Sequence, residues 1–254
     1  MKTLEKKRAL VTGAASGIGL AIVHEFHAQG MQVIASDLSA TRLAEVYGAL
    51  PAVRCLAADL SKQDAVAQLA REAGPIDVLV NNAGLQHVSP IEKFEQAKWD
   101  LLIQVMLTAP FQLIQAVLPG MYERSWDRIV NVSSVHGLIA SPFKSAYVSA
   151  KHGMMGLTKV VALEAGAHSR NITCNAICPS YVRTPLVEKQ LADQAKAHGI
   201  PENEVLEKVL LTQNAIKRLI EPEEVAQLAT FLCGEGAWSI TGTAQQMDAG
   251  WLAH

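Results

Sequence analysis

A chain of 254 residues has ample length for a substantial core, and with half its residues hydrophobic and 18% charged it falls outside the disordered class. Its formal net charge of −2 offers no electrostatic case for nucleic acid or for an anionic membrane. The four cysteines (Cys55, Cys174, Cys178, Cys233) show no Cys-x-x-Cys spacing and lie mostly in apolar runs, which reads as reduced thiols in an intracellular protein with no metal site.

In chain order, Arg8-Ala9-Leu10-Val11-Thr12 reads as a short strand, with Lys6-Lys7-Arg8 as its solvated approach. Gly13-Ala14-Ala15-Ser16-Gly17-Ile18-Gly19 follows, then a helical pattern to Gln29 capped by Gly30, then a second strand over residues 32–36 with Asp37 at its end. The glycines of such a unit give a tight turn, room for a pyrophosphate against bare backbone, and close helix–strand packing. The helix N-terminus supplies amides and the positive end of its dipole. An acidic residue at the second strand end takes ribose hydroxyls and repels a 2′-phosphate, so the unit predicts a dinucleotide site that prefers NAD.

The alternation continues with a strand at 53–57 followed by Asp59-Leu60, a helix at 64–73, and a strand at 76–80 ending in Asn81-Asn82-Ala83-Gly84. A long helix around 99–118 leads to a strand at 128–132, and a further helix to a strand at 172–177. Residues 101–122 carry no charge and are long enough to span a bilayer, but Gln104, Thr108, Pro110, Gln112 and Gln115 break the run and Pro119-Gly120 is expected to end it. The stretch reads as a helix buried between the sheet and a partner subunit, and the N-terminus lacks a signal-peptide core, so a soluble, cytoplasmic protein with no membrane partner is expected. Glu221-Pro222-Glu223-Glu224 opens a last helix, and a final strand falls at 244–247.

Short apolar strands alternating with amphipathic helices predict a single α/β domain over residues 1–254, a Rossmann-like, doubly wound parallel sheet. Ligands then gather at the carboxyl ends of the strands, where Gly13, Asp37, Asp59, Asn81, Ser134 and Pro179 all fall. Residues 186–220 break the alternation with two expected helices, 186–198 and 202–211, which read as a helical lid over a substrate.

Ser134 lies just past the fifth strand, and Tyr147 and Lys151 are four apart, on one face of a helix. A hydroxyl, a phenol and an ammonium converging at a strand end suit proton transfer to or from an alcohol or ketone. A neighbouring cation is what moves a phenol, ordinarily near ~10, toward the working range.

Thr12-Gly13-x-x-x-Gly17-x-Gly19, Asn81-Asn82-Ala83-Gly84 and Ser134 with Tyr147-x-x-x-Lys151 together resemble the classical short-chain dehydrogenase/reductase family from end to end. The resemblance implies that Ser134 polarises the substrate oxygen, Tyr147 is the general acid/base, and Lys151 lowers the tyrosine pKa and binds the nicotinamide ribose. It implies NAD held by Gly13, Ser16, Gly17, Ile18, Gly19 and Asp37, with Asp59-Leu60 at the adenine, and Asn81, Gly84, Pro179, Val182 and Thr184 along the cofactor. Within the family, Asn82 to His87, Ser134 to Leu138, Lys144 to Tyr147 and Val182 to Gln190 resemble the bacterial D-3-hydroxybutyrate dehydrogenases. In those enzymes Gln86, His136, Lys144 and Gln190 would hold the carboxylate of a small acid beside Ser134 and Tyr147, which implies interconversion of 3-hydroxybutyrate and acetoacetate. All four can donate hydrogen bonds, and Lys144 adds a fixed cation, so the set independently suits a small anion. Alternatives within enzymes are another 3-hydroxy acid, a 3-oxoacyl thioester or a sugar; outside them, an NAD-sensing binding protein. The resemblance also implies a homotetramer built through the long helices.

Three positions depart from the pattern. Met106 replaces an asparagine that helps hold a water in the proton relay, Ser180 replaces a glycine after Pro179, and Tyr181 replaces the tryptophan usual in the hydroxybutyrate enzymes.

Overall fold

The computed structural model describes residues 4–124, 126–188, 191, 195 and 199–253. Seven parallel strands form one sheet: β1 (Arg8–Thr12), β2 (Gln32–Asp37), β3 (Val53–Ala57), β4 (Val78–Asn81), β5 (Asp127–Val132), β6 (Ile172–Pro179) and β7 (Ala244–Met247), in the order β3-β2-β1-β4-β5-β6-β7. Between them run α1 (Gly17–Ala28), α2 (Ala40–Tyr47), α3 (Gln63–Ala73), α4 (Gln96–Ile103), α5 (Ala109–Arg124), α6 (Ser145–His168), the short α7 (Glu202–Val205) and α8 (Pro222–Cys233). This is the doubly wound parallel sheet that the alternation predicts.

The strands read as continuous apolar runs because both faces are covered. Ala9, Val11, Val78 and Val80 face a core shared with Ile22, Phe26 of α1 and Val225, Ala229 and Leu232 of α8. Leu10, Leu79 and Ile129 point the other way, onto α3, α5 and α6 through Val66, Leu113 and Ala150. Successive side chains of a strand alternate faces, so one apolar sequence serves two cores.

One helix has no counterpart in the sequence reading, and three expectations are corrected. α2 is only eight residues long; Leu43 and Tyr47 bury it with Val46 beside them, and Ser39 caps it by accepting from the Arg42 amide at 3.1 Å. Pro119 does not end the long helix, which continues to Arg124. The carbonyl left unpaired by a helical proline belongs to Gln115, on the exposed side, while buried Met121 keeps the next turn on the sheet. Lys7 and Arg8 are not simply solvated: Lys7 Nζ lies 3.6 Å from Asp77 and 4.0 Å from the Trp126 ring centroid, and Arg8 donates to the Ala73 carbonyl. Lastly, the second lid helix shortens to α7 followed by a π-helical turn, Leu206–Leu210.

The helix at 96–124 is long and apolar enough to cross a membrane by composition, but Leu102, Met106, Leu113 and Met121 are fully buried in the second core. A π-helical turn, Gln104–Thr108, interrupts it. The region after β6 carries its own small core of Val187, Val205, Leu210, Leu211 and Leu219. Of the first lid helix, residues 189, 190, 192–194 and 196–198 lie outside the described residues.

Candidate active site

The chain moves outward from β1 to β3 in one direction and from β4 to β7 in the other, so β1 and β4 flank a switch point where a crevice must open. Thr12 and Asn82 lock its two sides. Thr12 Oγ1 accepts from the amides of Asn82 (3.0 Å) and Ala83 (3.2 Å), and Asn82 Nδ2 donates to the carbonyls of Thr12 (2.9 Å) and Gly13 (3.0 Å). The contact is so close that a Cβ on Gly13 would sit 2.7 Å from Ala83 Cα, and Gly13 has φ +64 besides.

Two cavities of about 330 Å³ each run along this crevice. One is lined by Asp37, Asp59, Leu60 and Gly84, the other by Ser16, Gly17, Ile18, Ser134, Tyr147, Lys151, Pro179, Val182 and Thr184; Gly13 and Asp37 border both. Asp37 is held in place by two backbone amides, Ala15 to Oδ2 at 2.9 Å and Leu38 to Oδ1 at 2.8 Å. Ser16 at the N-cap of α1 makes no side-chain cap bond, and no acid occupies the first turn, so that helix end faces the cavity without an internal anion. These residues fit a dinucleotide: a carboxylate for ribose hydroxyls at one end, an uncapped helix terminus in the middle, and Tyr147 with Lys151 at the other end. Two of the expected cofactor residues stand behind the cavity wall. Gly19 packs against the Gly13 carbonyl, and Asn81 is buried, its amide donating to Asn131 Oδ1 at 2.9 Å.

At the far end, β5 delivers Ser133 and Ser134 while α6 presents Tyr147 and Lys151 beside them. Lys151 is buried and donates to the Val132 carbonyl at 2.7 Å; burial lowers its pKa to about 8, opposed by nearby Cys178. Its Nζ is 5.6 Å from the Tyr147 ring centroid. Tyr147 is half-buried at the cleft wall, and its phenol is pushed above the usual value by burial, with a hydrogen bond to Ser134 pulling the other way. Met106 is fully buried in the π-helical turn, with its sulfur 3.7 Å from where a Cβ on Gly84 would lie.

A third cavity, about 60 Å³, opens off the same corner and shares Ser134 and Tyr147 with the second. Gln86, His136 and Lys144 line it together, with Tyr181, Leu186, Val187 and Trp251. Three expected substrate ligands therefore meet in one small space; the fourth, Gln190, lies outside the described residues. Gln86 Oε1 and His136 Nε2 are buried, with no hydrogen-bond partner among the described residues. Burial, then Lys144 and His152, lower the His136 pKa to about 4, so at neutral pH it is a neutral imidazole with one N–H to give. Lys144 is 9% exposed, and burial lowers its pKa as well. Among the described residues no carboxylate pairs with it; the Tyr181 ring, 5.7 Å from Nζ, is its neighbour.

Trp251 was not singled out from the sequence. It stacks on Tyr181 with ring centroids 5.7 Å apart and meets His136 edge-on at the same distance, so the last residues reach their own chain's cavity. A tryptophan after the Asp248-Ala249-Gly250 turn was its only signal.

The model of the short chain dehydrogenase family matches residues 7–195. The D-beta-hydroxybutyrate dehydrogenase of Rhizobium meliloti is 46% identical over 97% of this chain and 99% of that protein. The protein of the same name from Cupriavidus necator is 43% identical over 98% and 99%. The acetoacetyl-CoA reductase of Shinella zoogloeoides is 36% identical over 95% and 97%. A solved short chain dehydrogenase/reductase family protein, 30% identical, superposes with a TM-score of 0.88 over 100% of both chains. This chain belongs to the short chain dehydrogenase family and is an oxidoreductase.

Proposed function

We propose that the protein catalyses reversible hydride transfer between D-3-hydroxybutyrate and NAD, giving acetoacetate and NADH. The observation that carries this reading is the third cavity: three side chains able to donate hydrogen bonds, one of them a buried cation with no acid partner among the described residues, line one space with Ser134 and Tyr147. A room of about 60 Å³ so equipped suits a short acid, and it would leave buried donors unpaired against an apolar substrate. The relatives named for D-beta-hydroxybutyrate support the same assignment.

Asp37 and the uncapped end of α1 would hold NAD by its ribose and phosphates, with Thr184, Val182 and Lys151 at the nicotinamide end; when bound, NAD supplies the hydride acceptor. Lys144, His136 and Gln86 bind the substrate carboxylate, and by fixing it they choose which face of C3 is presented. Ser134 donates its hydroxyl hydrogen bond to the substrate oxygen. Tyr147 Oη takes the hydroxyl proton in oxidation and returns it in reduction. Lys151, a cation below about pH 8, faces the tyrosine ring and favours its ionised form. Exposed Phe111 on α5 and Val160 and Leu163 on α6 support assembly through these helices, and we read the protein as a cytoplasmic homotetramer.

NADH formation with each enantiomer of 3-hydroxybutyrate, with NAD and NADP in parallel, tests the reading. Strong turnover of the D form with NAD alone is expected. Silence on both enantiomers, with reduction of 3-oxoacyl thioesters by NADPH, would replace it.

A further inference from the structure

We propose that Ser180, Asn214 and Asp248 form a clasp that fixes the Tyr181–Trp251 wall of the small cavity and thereby limits the chain length of the substrate. The inference rests on the hydroxy-acid reading above and adds what sets its specificity.

Asn214 is 1% exposed and sits where the lid returns to the body. Its single Nδ2 donates both hydrogens, one to Ser180 Oγ at 3.0 Å and one to the Asp248 carbonyl at 2.9 Å. One side chain thus ties the exit of β6, next to Tyr181, to the C-terminal turn, next to Trp251. Asp248 secures the turn from within: its Oδ1 accepts from the Gly250 amide at 3.0 Å and its Oδ2 from the Leu252 amide at 2.9 Å, bracketing Trp251. The Ala249 carbonyl accepts from the amides of both Ala215 (2.9 Å) and Ile216 (3.0 Å). Ala249 holds φ +54, a conformation an alanine adopts only when its surroundings impose it, and a Cβ on Gly250 would lie 2.8 Å from Ala215 Cβ. The tail is therefore built into the site rather than trailing from it, and Asn214 is the side chain that joins its turn to Ser180. Ser180 is the residue a glycine commonly replaces, and a glycine has no hydroxyl to accept the Asn214 bond.

Tyr181 and Trp251 line the cavity with two large rings, which close the space beside the anion. Where they stand decides whether another methylene fits, and one methylene in a closed pocket discriminates by about 10-fold or more.

The test is Ser180→Ala, which removes one hydroxyl, with Ser180→Thr restoring it. Two readouts are taken: hydrogen exchange at the amides of Gly250 and Leu252, and kcat/KM for the four-, five- and six-carbon D-3-hydroxy acids. In Ser180→Ala, exchange at both amides is expected to accelerate and the five-to-four-carbon ratio to rise about 10-fold, while Ser180→Thr returns both toward the parent. Faster exchange with an unmoved ratio would overturn the specificity role, and unmoved exchange would overturn the clasp. A parent protein that turns over none of these acids would remove the functional reading and the specificity with it, and the exchange readout would still decide the clasp.

Discussion

Lys144→Met separates binding of the substrate from stability of the fold, because the structure predicts opposite effects on the two. Lys144 occupies the N-cap of the 24-residue α6, 9% exposed, with no acid in the helix's first turn. A cation at a helix N-terminus opposes the dipole by about 0.3–1 kcal/mol. A buried charge without a partner costs more, and burial accordingly favours the neutral amine. Methionine keeps an apolar stem against the Tyr181 ring and removes the charge, so the variant without ligand should hold or gain stability, by about 2–4 °C in Tm for each kcal/mol relieved. The substrate carboxylate, however, loses a charge-assisted hydrogen bond of about 1.5–3 kcal/mol, which lowers kcat/KM roughly 10- to 150-fold, mainly through KM. Steady-state oxidation of D-3-hydroxybutyrate, a thermal melt, and NAD binding measured separately make the comparison. An unchanged KM refutes carboxylate binding by Lys144. A lowered Tm refutes the premise that its charge is uncompensated in the empty cavity.

Tyr147→Phe should abolish turnover and leave NAD affinity within a few-fold, since only the proton-transferring oxygen is lost; near-normal turnover in a rapid kinetic assay would remove that role. Asp127, fully buried at the other end of the sheet, gives a pH-dependent prediction. Its Oδ1 accepts from Arg124 Nη2 at 2.9 Å, yet Oδ2 has no partner among the described residues, and burial outweighs Arg124 to raise its pKa from 3.8 to about 7. The folded state therefore keeps a proton that the unfolded chain releases. Stability from this group is complete below pH 4 and is lost as pH rises to about 7, a cost of about 4 kcal/mol once ionised. Asp127→Asn should flatten that slope and stabilise the protein at pH 8, as read by urea unfolding at a series of pH values; a variant less stable at pH 8 would mean the Arg124 ion pair outweighs burial.

The sheet was legible because a parallel strand covered on both faces must be apolar along its length, and each strand end then announced itself by a Gly, Asp, Asn, Ser or Pro. α2 was hidden for a different reason: it spans only eight residues, about two turns, so its apolar face of Leu43, Val46 and Tyr47 is too short a run to stand out between two strands. The proline in α5 misled because a local rule was applied without knowing which side of the helix faced water. The expected cofactor residues fall along one crevice, but their individual stations were not legible: Gly19 and Asn81 pack behind the wall that Gly13, Asn82 and Gly84 present. Spacing along the chain identifies the turn and leaves open which atoms of it face the ligand.

Met106 marks a different limit. It sits at the centre of the π-helical turn, Gln104–Thr108, where an asparagine had been expected to help hold a water. Met106 fills the space behind Gly84 with a sulfur, and that neighbour offers no strong hydrogen bond to a water. Lys151 meanwhile binds the Val132 carbonyl directly. The Tyr147 oxygen thus has the Ser134 hydroxyl as its hydrogen-bond neighbour, while Lys151, an ammonium already donating to Val132, acts on it through charge rather than by taking its proton.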